Sequence, residues 1–277
     1  MRDNPYLKNR SIFLPLLMRG SNQDSAISRE NAIPKALFEL RGKSSYNVKG
    51  ISFEMVQAPR LDNKLFSLPN VEMCSTECTQ ELFEAVMGFN PSKFKGKANS
   101  PKRPVEEVSW FDCIAFCNRL SQELGLAPYY SLVDIKYDKK APQSIEAALV
   151  EVLGGNGFRL PTEAEWEVFA RAGTNNRWSG TNIEAELKDY AWYDKNSNKG
   201  TKPIATKKPN EWGMYDMSGN VWEWCWNTDT STSANRVYRG GCWFNNASSL
   251  RSAFRFNNSP GTRYDALGFR VSRSLHG

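Results

Sequence analysis

The chain has 277 residues, of which 40% are hydrophobic, so it can bury the core of one large domain or two small ones. Its formal net charge of +6, from 36 basic and 30 acidic residues, is modest for this length and is not typical of a nucleic-acid-binding protein. A single histidine, His276, excludes a Ser-His-Asp triad, a Cys-His pair in the core and an HExxH zinc site.

The first 48 residues are polar and rich in Ser, Asn and Arg, and we expect them to form an N-terminal extension with a short helix over residues 33–40. The longest apolar run, residues 12–18, is broken by Pro15 and is far shorter than the ~20 apolar residues that a membrane span requires. Basic residues precede this run, but no A-x-A-like cleavage site follows it, and the first cysteine is Cys74. We therefore expect no transmembrane segment, no clear signal peptide and no lipobox.

Residues 49–277 have the pattern of a folded domain. Apolar residues alternate with polar ones at Ile51, Phe53 and Met55, which predicts a strand, and residues 71–74 favour another. Residues 131–156 are less patterned, and no element is predicted there.

Three helices are predicted from their capping residues. They begin after Thr79, Ser109 and Thr162, and the last two of these have the capping-box spacing with an acid three residues later. We expect each helix to end at a glycine, namely Gly88, Gly125 and Gly173. Helices early in the chain followed by loops and short strands indicate an α+β domain.

Six cysteines occur without a CxxC motif, which argues against thioredoxin-like chemistry and a zinc ribbon. Cys113 and Cys117 share an apolar helical stripe with Leu120 and Leu124. Free cysteine is among the most buried residue types, so we expect buried free thiols, with disulfides or a metal site as the alternatives.

Several motifs carry a family resemblance. In chain order they are ECTQ at 77–80 with PVEEVSW at 104–110 and FCN at 116–118; GFRLPTEAEW at 157–166 with ARAG at 170–173; and KPNEWGMYDMSGNVWEW at 208–224 with RGGCW at 239–243 and GFR at 268–270. Together they resemble the formylglycine-generating-enzyme/sulfatase-modifying-factor domain over about residues 50–273. The resemblance implies a C-type-lectin-like fold with few helices, short antiparallel strands and much irregular structure.

The sequence lacks the metal ligands of the family's two enzymatic branches. The family's oxidases bind copper with two cysteines that follow a Gly-Gly-Ser motif, but residues 244–250 contain no cysteine, and a lone thiol at Cys242 cannot replace that pair. Another branch holds iron with histidines, and His276 alone cannot do so. We therefore expect no enzyme, no catalytic residues and no catalytic cofactor. An enzyme of the family with altered chemistry and a fixed-ligand module of the same fold are the alternative hypotheses.

Residues 237–273 resemble the variable region of proteins diversified by a diversity-generating retroelement. There a reverse transcriptase mutates template adenines, so that Asn codons change to those of many residues but not of Lys, Glu, Gln, Met or Trp. Residues 238–277 contain no Lys, Glu, Gln or Met. The candidate variable, ligand-binding positions are Cys242, Phe244, Asn245, Asn246, Ser248, Ser249, Phe254, Phe256, Asn257, Asn258, Ser259, Gly261, Thr262, Tyr264, Asp265 and Ala266.

The composition of these positions is that of a paratope, because aromatic rings supply contact area while small polar residues adapt their hydrogen bonds. The resemblance implies a bacterial protein of the cell envelope or surface that binds a protein or another surface-exposed ligand. Phe244, Phe254 and Phe256 have core residues as their alternative interpretation, and Tyr264 with Asp265 has an ordinary turn. The arginines of this region match a fixed structural frame, so nucleic-acid binding is not expected.

The resemblance also implies a structural calcium ion. Its ligands would be the carboxylates of Asp216 and Glu223 and the carbonyl oxygens of Gly219 and Val221, which are the hard oxygen donors that calcium prefers. The alternative is a calcium-free turn in which Asp216 acts as a cap and Glu223 pairs with an arginine.

Overall fold

The computed structural model describes residues 42–59, 70–229 and 234–275, and the structural statements below refer to these residues. The helix predicted over residues 33–40 and the apolar run at residues 12–18 lie outside them. The helices are α1 (Gln80–Met87), α2 (Trp110–Glu123), α3 (Glu163–Arg171) and α4 (Leu187–Tyr190), with 3₁₀ turns at Ser100–Lys102, Glu184–Glu186 and Ala247–Leu250. None of the described helices is long and apolar enough to cross a bilayer.

Short strands make up the β structure. They are β1 (Lys43–Val48), β2 (Ile51–Gln57), β3 (Val71–Cys74), β4 (Tyr130–Tyr137), β5 (Ile145–Val152), β6 (Phe158–Arg159), β7 (Trp222–Thr228), β8 (Arg236–Arg239), β9 (Arg255–Asn258), β10 (Leu267–Gly268) and β11 (Ser272–Ser274). In the described residues they form an antiparallel sheet of order β1-β2-β3-β11-β6, a sheet of order β10-β7-β8-β9, and the hairpin β4-β5. The α+β class predicted from the sequence is therefore correct.

The first sheet begins earlier than the sequence analysis placed the domain. Strand β1 lies within the residues that were assigned to the polar extension, yet it pairs with β2 from Lys43↔Val56 to Val48↔Ile51. Its sequence, KSSYNV, buries only Val48 completely, and its outward positions are polar. Because the strand lies at the sheet edge and has so few apolar residues, its two-residue period is too weak to detect.

The hairpin β4-β5 occupies the stretch for which no element was predicted. Register shifts interrupt its pairing between Val133 and Lys136, where Asp134 has a φ of 53°. An extra residue of this kind is a β-bulge, and it breaks the alternation of inward and outward side chains. The loss of that alternation explains why the sequence pattern did not reveal the strands.

The three predicted helices are confirmed with their caps. Thr79 accepts a hydrogen bond from the Leu82 amide, and the capping boxes at Ser109 and Thr162 are complete. On α2, Cys113, Cys117 and Leu120 are fully buried, and all six cysteines of the chain are buried and unbridged. The core around α1 and α2 is strongly aromatic. Phe83 stacks on Phe116 with ring centroids 5.5 Å apart.

Candidate ligand-binding face

A buried arginine, Arg239, holds the C-terminal segment, residues 237–273, to the rest of the domain. It is 2% exposed and donates hydrogen bonds to Glu163 (2.6 Å) and Glu167 (2.7 Å) of α3 and to the carbonyl of Ser252 (2.6 Å). These bonds join β8, α3 and the loop before β9. Charge-assisted bonds to buried partners are the strong ones, so this arginine fixes the position of the loop.

A second arginine extends this network to the edge of the sheet. Arg255 of β9 donates to Glu163 at 2.7 Å and to Asp229 at 3.2 Å. Burial alone would raise the pKa of Glu163, but the hydrogen bonds and charges of Arg255 and Arg239 lower it below its usual value. Glu163 is therefore a carboxylate shared between two strands of the C-terminal segment.

A third arginine of the C-terminal segment, Arg270, is fully buried. It donates to both oxygens of Glu223 at 2.6 Å and to the carbonyls of Cys74 and Tyr215 at 3.0 Å. The indole of Trp166 donates to the same carboxylate at 2.6 Å. Arg270 thus joins β7, β3 and the loop that precedes β7.

Two glycines let the chain pass close to this core. Gly240 (φ 98°) lies against Trp166, whose ring would be 3.2 Å from an added Cβ, and Gly241 (φ 75°) would place a Cβ 2.8 Å from Leu250. Both the positive φ and the close approach require glycine at these positions. The residues that follow therefore leave the core at a defined point.

Most of the candidate positions have side chains that reach the surface. We define the variable face as the fourteen candidate positions between residues 244 and 265. All of them are at least partly exposed. Phe244 and Phe256 are 47% and 54% exposed, whereas Phe254 and Tyr264 are partly buried against the core. The core interpretation therefore applies in part to Phe254 and does not describe Phe244 or Phe256. For Tyr264 the alternative was a turn, and the Leu267 amide does donate to the Tyr264 carbonyl at 3.0 Å.

Two of the sixteen candidates do not reach the surface. The side chains of Cys242 and Ala266 are both 0% exposed. The Cys242 thiol donates to Asn245 Oδ1 at 3.0 Å, and burial raises its pKa to about 12. In an irregular loop no period shows which side chain points inward, so the sequence could not separate these two from their neighbours.

Some surface positions also hold the loops in place. Asn246 caps the 3₁₀ turn Ala247–Leu250, Asn257 donates to Asp229 at 2.6 Å, and Asp265 pairs with Lys93. A side chain at Gly261 would meet the carbonyl oxygen of Glu146 on β5, which would lie 2.7 Å from its Cβ. The side chains of Phe244, Ser249, Phe256, Ser259 and Thr262 have no hydrogen bond or ion pair of this kind among the described residues, and the two phenylalanines have ring contacts only. We therefore expect these five positions to tolerate replacement best.

Two buried aromatic residues that the sequence analysis did not identify pack beside the variable face. Trp222 of β7 contacts Tyr238, Phe254 and Phe256, with centroid distances of 5.2, 6.1 and 6.4 Å. Phe94, from a loop far away in the sequence, packs edge-on against Trp243 at 5.8 Å. No local pattern could have placed either residue here, since both contacts join distant parts of the chain.

The residues predicted to bind calcium are differently engaged. Both oxygens of Glu223 accept bonds from Arg270, and one also accepts the Trp166 indole, so the arginine-paired alternative describes this carboxylate. Asp216 accepts from the Ala205 amide through Oδ2 (2.8 Å), while its buried Oδ1 has no hydrogen-bond partner. The expected four-ligand set fits the geometry poorly, because calcium would have to displace Arg270 from Glu223. In the described part of the chain, no group of three His, Cys, Asp or Glu residues is arranged to hold a metal. Calcium binding stays a prediction.

Burial dominates the electrostatics of this region. It raises the pKa of Asp216 to about 6, and it raises the pKa of Glu77 well above its usual value, with repulsion from Asp216 and Glu223 adding to the effect. Glu77 accepts from the Val221 amide at 3.1 Å and from Asn220 Nδ2 at 2.6 Å. The Glu77 carboxyl group therefore holds the turn before β7 in place.

Comparisons with known proteins agree with this architecture. Residues 34–275 match the sulfatase-modifying factor enzyme 1-like domain, so the match begins upstream of residue 49 and includes β1. Chaperone protein LppX of Paenibacillus barcinonensis is 33% identical in an alignment 255 residues long that covers 82% of this chain and 86% of that protein. The formylglycine-generating enzyme of Mus musculus is 34% identical over 146 residues, which are only 39% of the enzyme.

The structure of Treponema denticola variable protein 1 is similar over nearly its whole length. Its sequence identity to this chain is 40% and its TM-score is 0.74, and the match covers 84% of this chain and 99% of that one. Since the family model spans most of the chain, this protein belongs to the sulfatase-modifying factor enzyme 1-like domain family and has its C-type-lectin-like α+β fold.

Proposed function

We propose that this chain is a non-enzymatic bacterial recognition protein. Its variable face, diversified by a retroelement, binds a protein or another surface-exposed ligand. The observation that carries the proposal is the separation between outward side chains and a frame made by the buried Arg239 and Arg270 and the partly exposed Arg255. The similarity to Treponema denticola variable protein 1 supports it.

The chemistry of the face suits recognition. Phe244 and Phe256 each leave about half of their side chain in solvent, and they lie among small polar residues. Exposed aromatic anchors surrounded by Ser, Asn and Thr are typical of binding surfaces that gain affinity through contact area. Because the frame arginines bond mainly to acids outside residues 237–273, replacing the exposed side chains leaves those bonds intact.

The chemistry of Cys242 favours binding over oxidation. Burial raises the pKa of the Cys242 thiol to about 12, so copper could bind it as a thiolate only by displacing its proton. We accordingly expect no turnover of a cysteine-containing sulfatase peptide in the presence of copper. Robust turnover would instead favour the alternative of an enzyme with altered chemistry.

A pair of displayed libraries tests the binding function. The first library changes five exposed or partly exposed positions of the variable face, which are Phe244, Ser249, Phe256, Ser259 and Thr262. The replacements are residues that adenine mutagenesis of Asn codons can produce. The control library makes the same replacements at large exposed side chains elsewhere, namely Val133, Tyr137, Leu149, Val152 and Ile183. We expect both libraries to display folded protein and only the first to yield binders against a panel of unrelated proteins. Equal yields, or loss of display from the first library, would contradict the proposal.

The genome provides an independent test of diversification. We expect a reverse-transcriptase gene and an adenine-rich near-copy of the 3′ end of this gene beside it. If both are absent, a module of the same fold with a fixed ligand becomes the better hypothesis. An envelope location is part of the proposal, and labelling of intact cells with an antibody against the face tests it.

A further inference from the structure

Two loops whose residues lie outside the variable face form a strongly basic surface. We define the basic surface as residues 93–103 and 199–208, which together contain eight Lys, one Arg and no Asp or Glu. The loops lie side by side, because the Ile204 amide donates to the carbonyl of Lys102 at 2.9 Å and the Arg103 guanidinium donates to the carbonyl of Thr201. Nine cations are therefore gathered in one region.

Most of these charges are not compensated within the protein. Three of the cations form ion pairs with acids outside the loops, Lys93 with Asp265, Lys102 with Glu81 and Lys208 with Asp189. The other six have no ion pair with any residue that the structure describes, and they are Lys95, Lys97, Arg103, Lys199, Lys202 and Lys207.

Some of the uncompensated cations are held in unfavourable surroundings. Burial lowers the pKa of both Arg103 and Lys202, and the charge of Arg103 lowers that of Lys202 further. Burial also lowers the pKa of Lys207, although the ammonium gains a favourable cation–π contact 3.9 Å from the centre of the Trp192 ring. Like charges that are partly desolvated and close together destabilise the free protein, and a bound anion would relieve this repulsion.

The composition of the surface indicates the class of ligand. Lysine is depleted in the cores of protein–protein interfaces, so a surface with eight lysines is poorly suited to a protein partner. Single-stranded nucleic acids need exposed aromatic faces for stacking. Here the Lys207 ammonium covers the Trp192 ring and Phe94 is buried against Trp243, so neither ring offers a free face to a base. Lysine ammonium groups on flexible stems instead suit repeated sulfate or phosphate groups.

We propose that the basic surface is a fixed binding site for a flexible polymer with closely spaced sulfate or phosphate groups. It borders the variable face where Phe94 meets Trp243 and Lys93 meets Asp265, yet none of its residues is a candidate variable position. Every diversified variant would therefore keep this site, and the proposal does not depend on the recognition function.

The test measures binding of the full chain to heparin, a sulfated polymer, and to linear polyphosphate by fluorescence anisotropy at increasing salt. A triple variant reverses three uncompensated exposed charges of the basic surface, Lys95→Glu, Lys97→Glu and Lys199→Glu. A matched control makes the same change in net charge on the β4-β5 hairpin, with Lys136→Glu, Lys139→Glu and Lys140→Glu. We expect at least about a tenfold rise in Kd for the triple variant, with a salt dependence reduced by about two to three units of slope.

The control decides whether the site is local. If the control variant loses as much affinity as the triple variant, binding reflects net charge alone and the proposal is wrong. Failure of the unmodified chain to bind either polymer also overturns it. Binding to vesicles of anionic phospholipid without binding to heparin or polyphosphate would assign the surface to a membrane instead. A difference between heparin and polyphosphate would show which of the two groups is preferred.

Discussion

Replacement of Asp216 by asparagine distinguishes a calcium-free site from a calcium-loaded one. In the free protein this carboxylate is buried, has one oxygen without a hydrogen-bond partner, and lies near Glu77 and Glu223, which repel it. Its φ of 56° is in the left-handed region, which asparagine tolerates well. The substitution therefore removes a charge and introduces little backbone strain.

The expected size follows from the pKa of Asp216. A rise from 3.8 to about 6 corresponds to about 3 kcal/mol of destabilisation at neutral pH, at about 1.4 kcal/mol per pKa unit. The new amide leaves one buried donor without an acceptor, which costs about 1–3 kcal/mol. Without calcium, we expect Asp216→Asn to raise the free energy of unfolding by about 1 kcal/mol at neutral pH.

The pH dependence gives a second readout. The folded protein binds the Asp216 proton more tightly than the unfolded chain does. The free energy of unfolding of the wild type therefore falls as pH rises from about 4 to about 6, and the contribution of Asp216 is constant above that range. The asparagine variant lacks this fall. Urea unfolding followed by tryptophan fluorescence, at several pH values and with either EDTA or millimolar calcium, measures both effects.

Bound calcium would reverse the predicted order of stability of the wild type and the Asp216→Asn variant. If the ion binds here, it stabilises the wild-type protein and the variant loses that gain, so the variant becomes the less stable protein in calcium. Absence of any calcium effect on the wild type would remove the calcium prediction. A variant less stable than the wild type in EDTA would refute the reasoning, because it would mean that the Asp216 carboxylate makes a favourable contact that offsets its burial.

Three further predictions test the face, its frame and Glu106, a buried carboxylate that accepts hydrogen bonds from the amides of Lys93 and Phe94. Phe244→Ala and Phe256→Ala are each expected to change the free energy of unfolding by less than about 1 kcal/mol, because about half of each residue is already in solvent. Larger losses of stability in thermal melts would show that they are core residues. Arg270→Met is expected to cost about 3–5 kcal/mol, because it leaves the Glu223 carboxylate buried without its partner. Adding Glu223→Gln should recover part of this in urea titrations, whereas strict additivity would argue against the ion pair. Burial raises the pKa of Glu106 to about 7. As pH rises from 4.5 to about 7, the free energy of unfolding of the wild type should therefore fall by up to about 3 kcal/mol relative to that of Glu106→Gln. Parallel curves of stability against pH for the two proteins would contradict this.

Local interactions explain what could be read from the sequence. The caps at Thr79, Ser109 and Thr162 bond to amides three residues away, so each helix start is encoded in a few consecutive residues. The burial of the cysteines on α2 follows from the helical period in the same way. The family motifs, and with them the fold class, are also contiguous stretches of the chain.

Contacts between distant residues decided the rest. Arg239 lies 76 positions from Glu163, and Arg270 lies 47 positions from Glu223. No local sequence pattern could therefore show which arginine would form an ion pair with which acid. In the same way, only the packed structure shows that Cys242 points inward while Phe244 points outward. In a domain with so much irregular backbone, side-chain direction depends on which partners the chain meets in space and not on a repeating period.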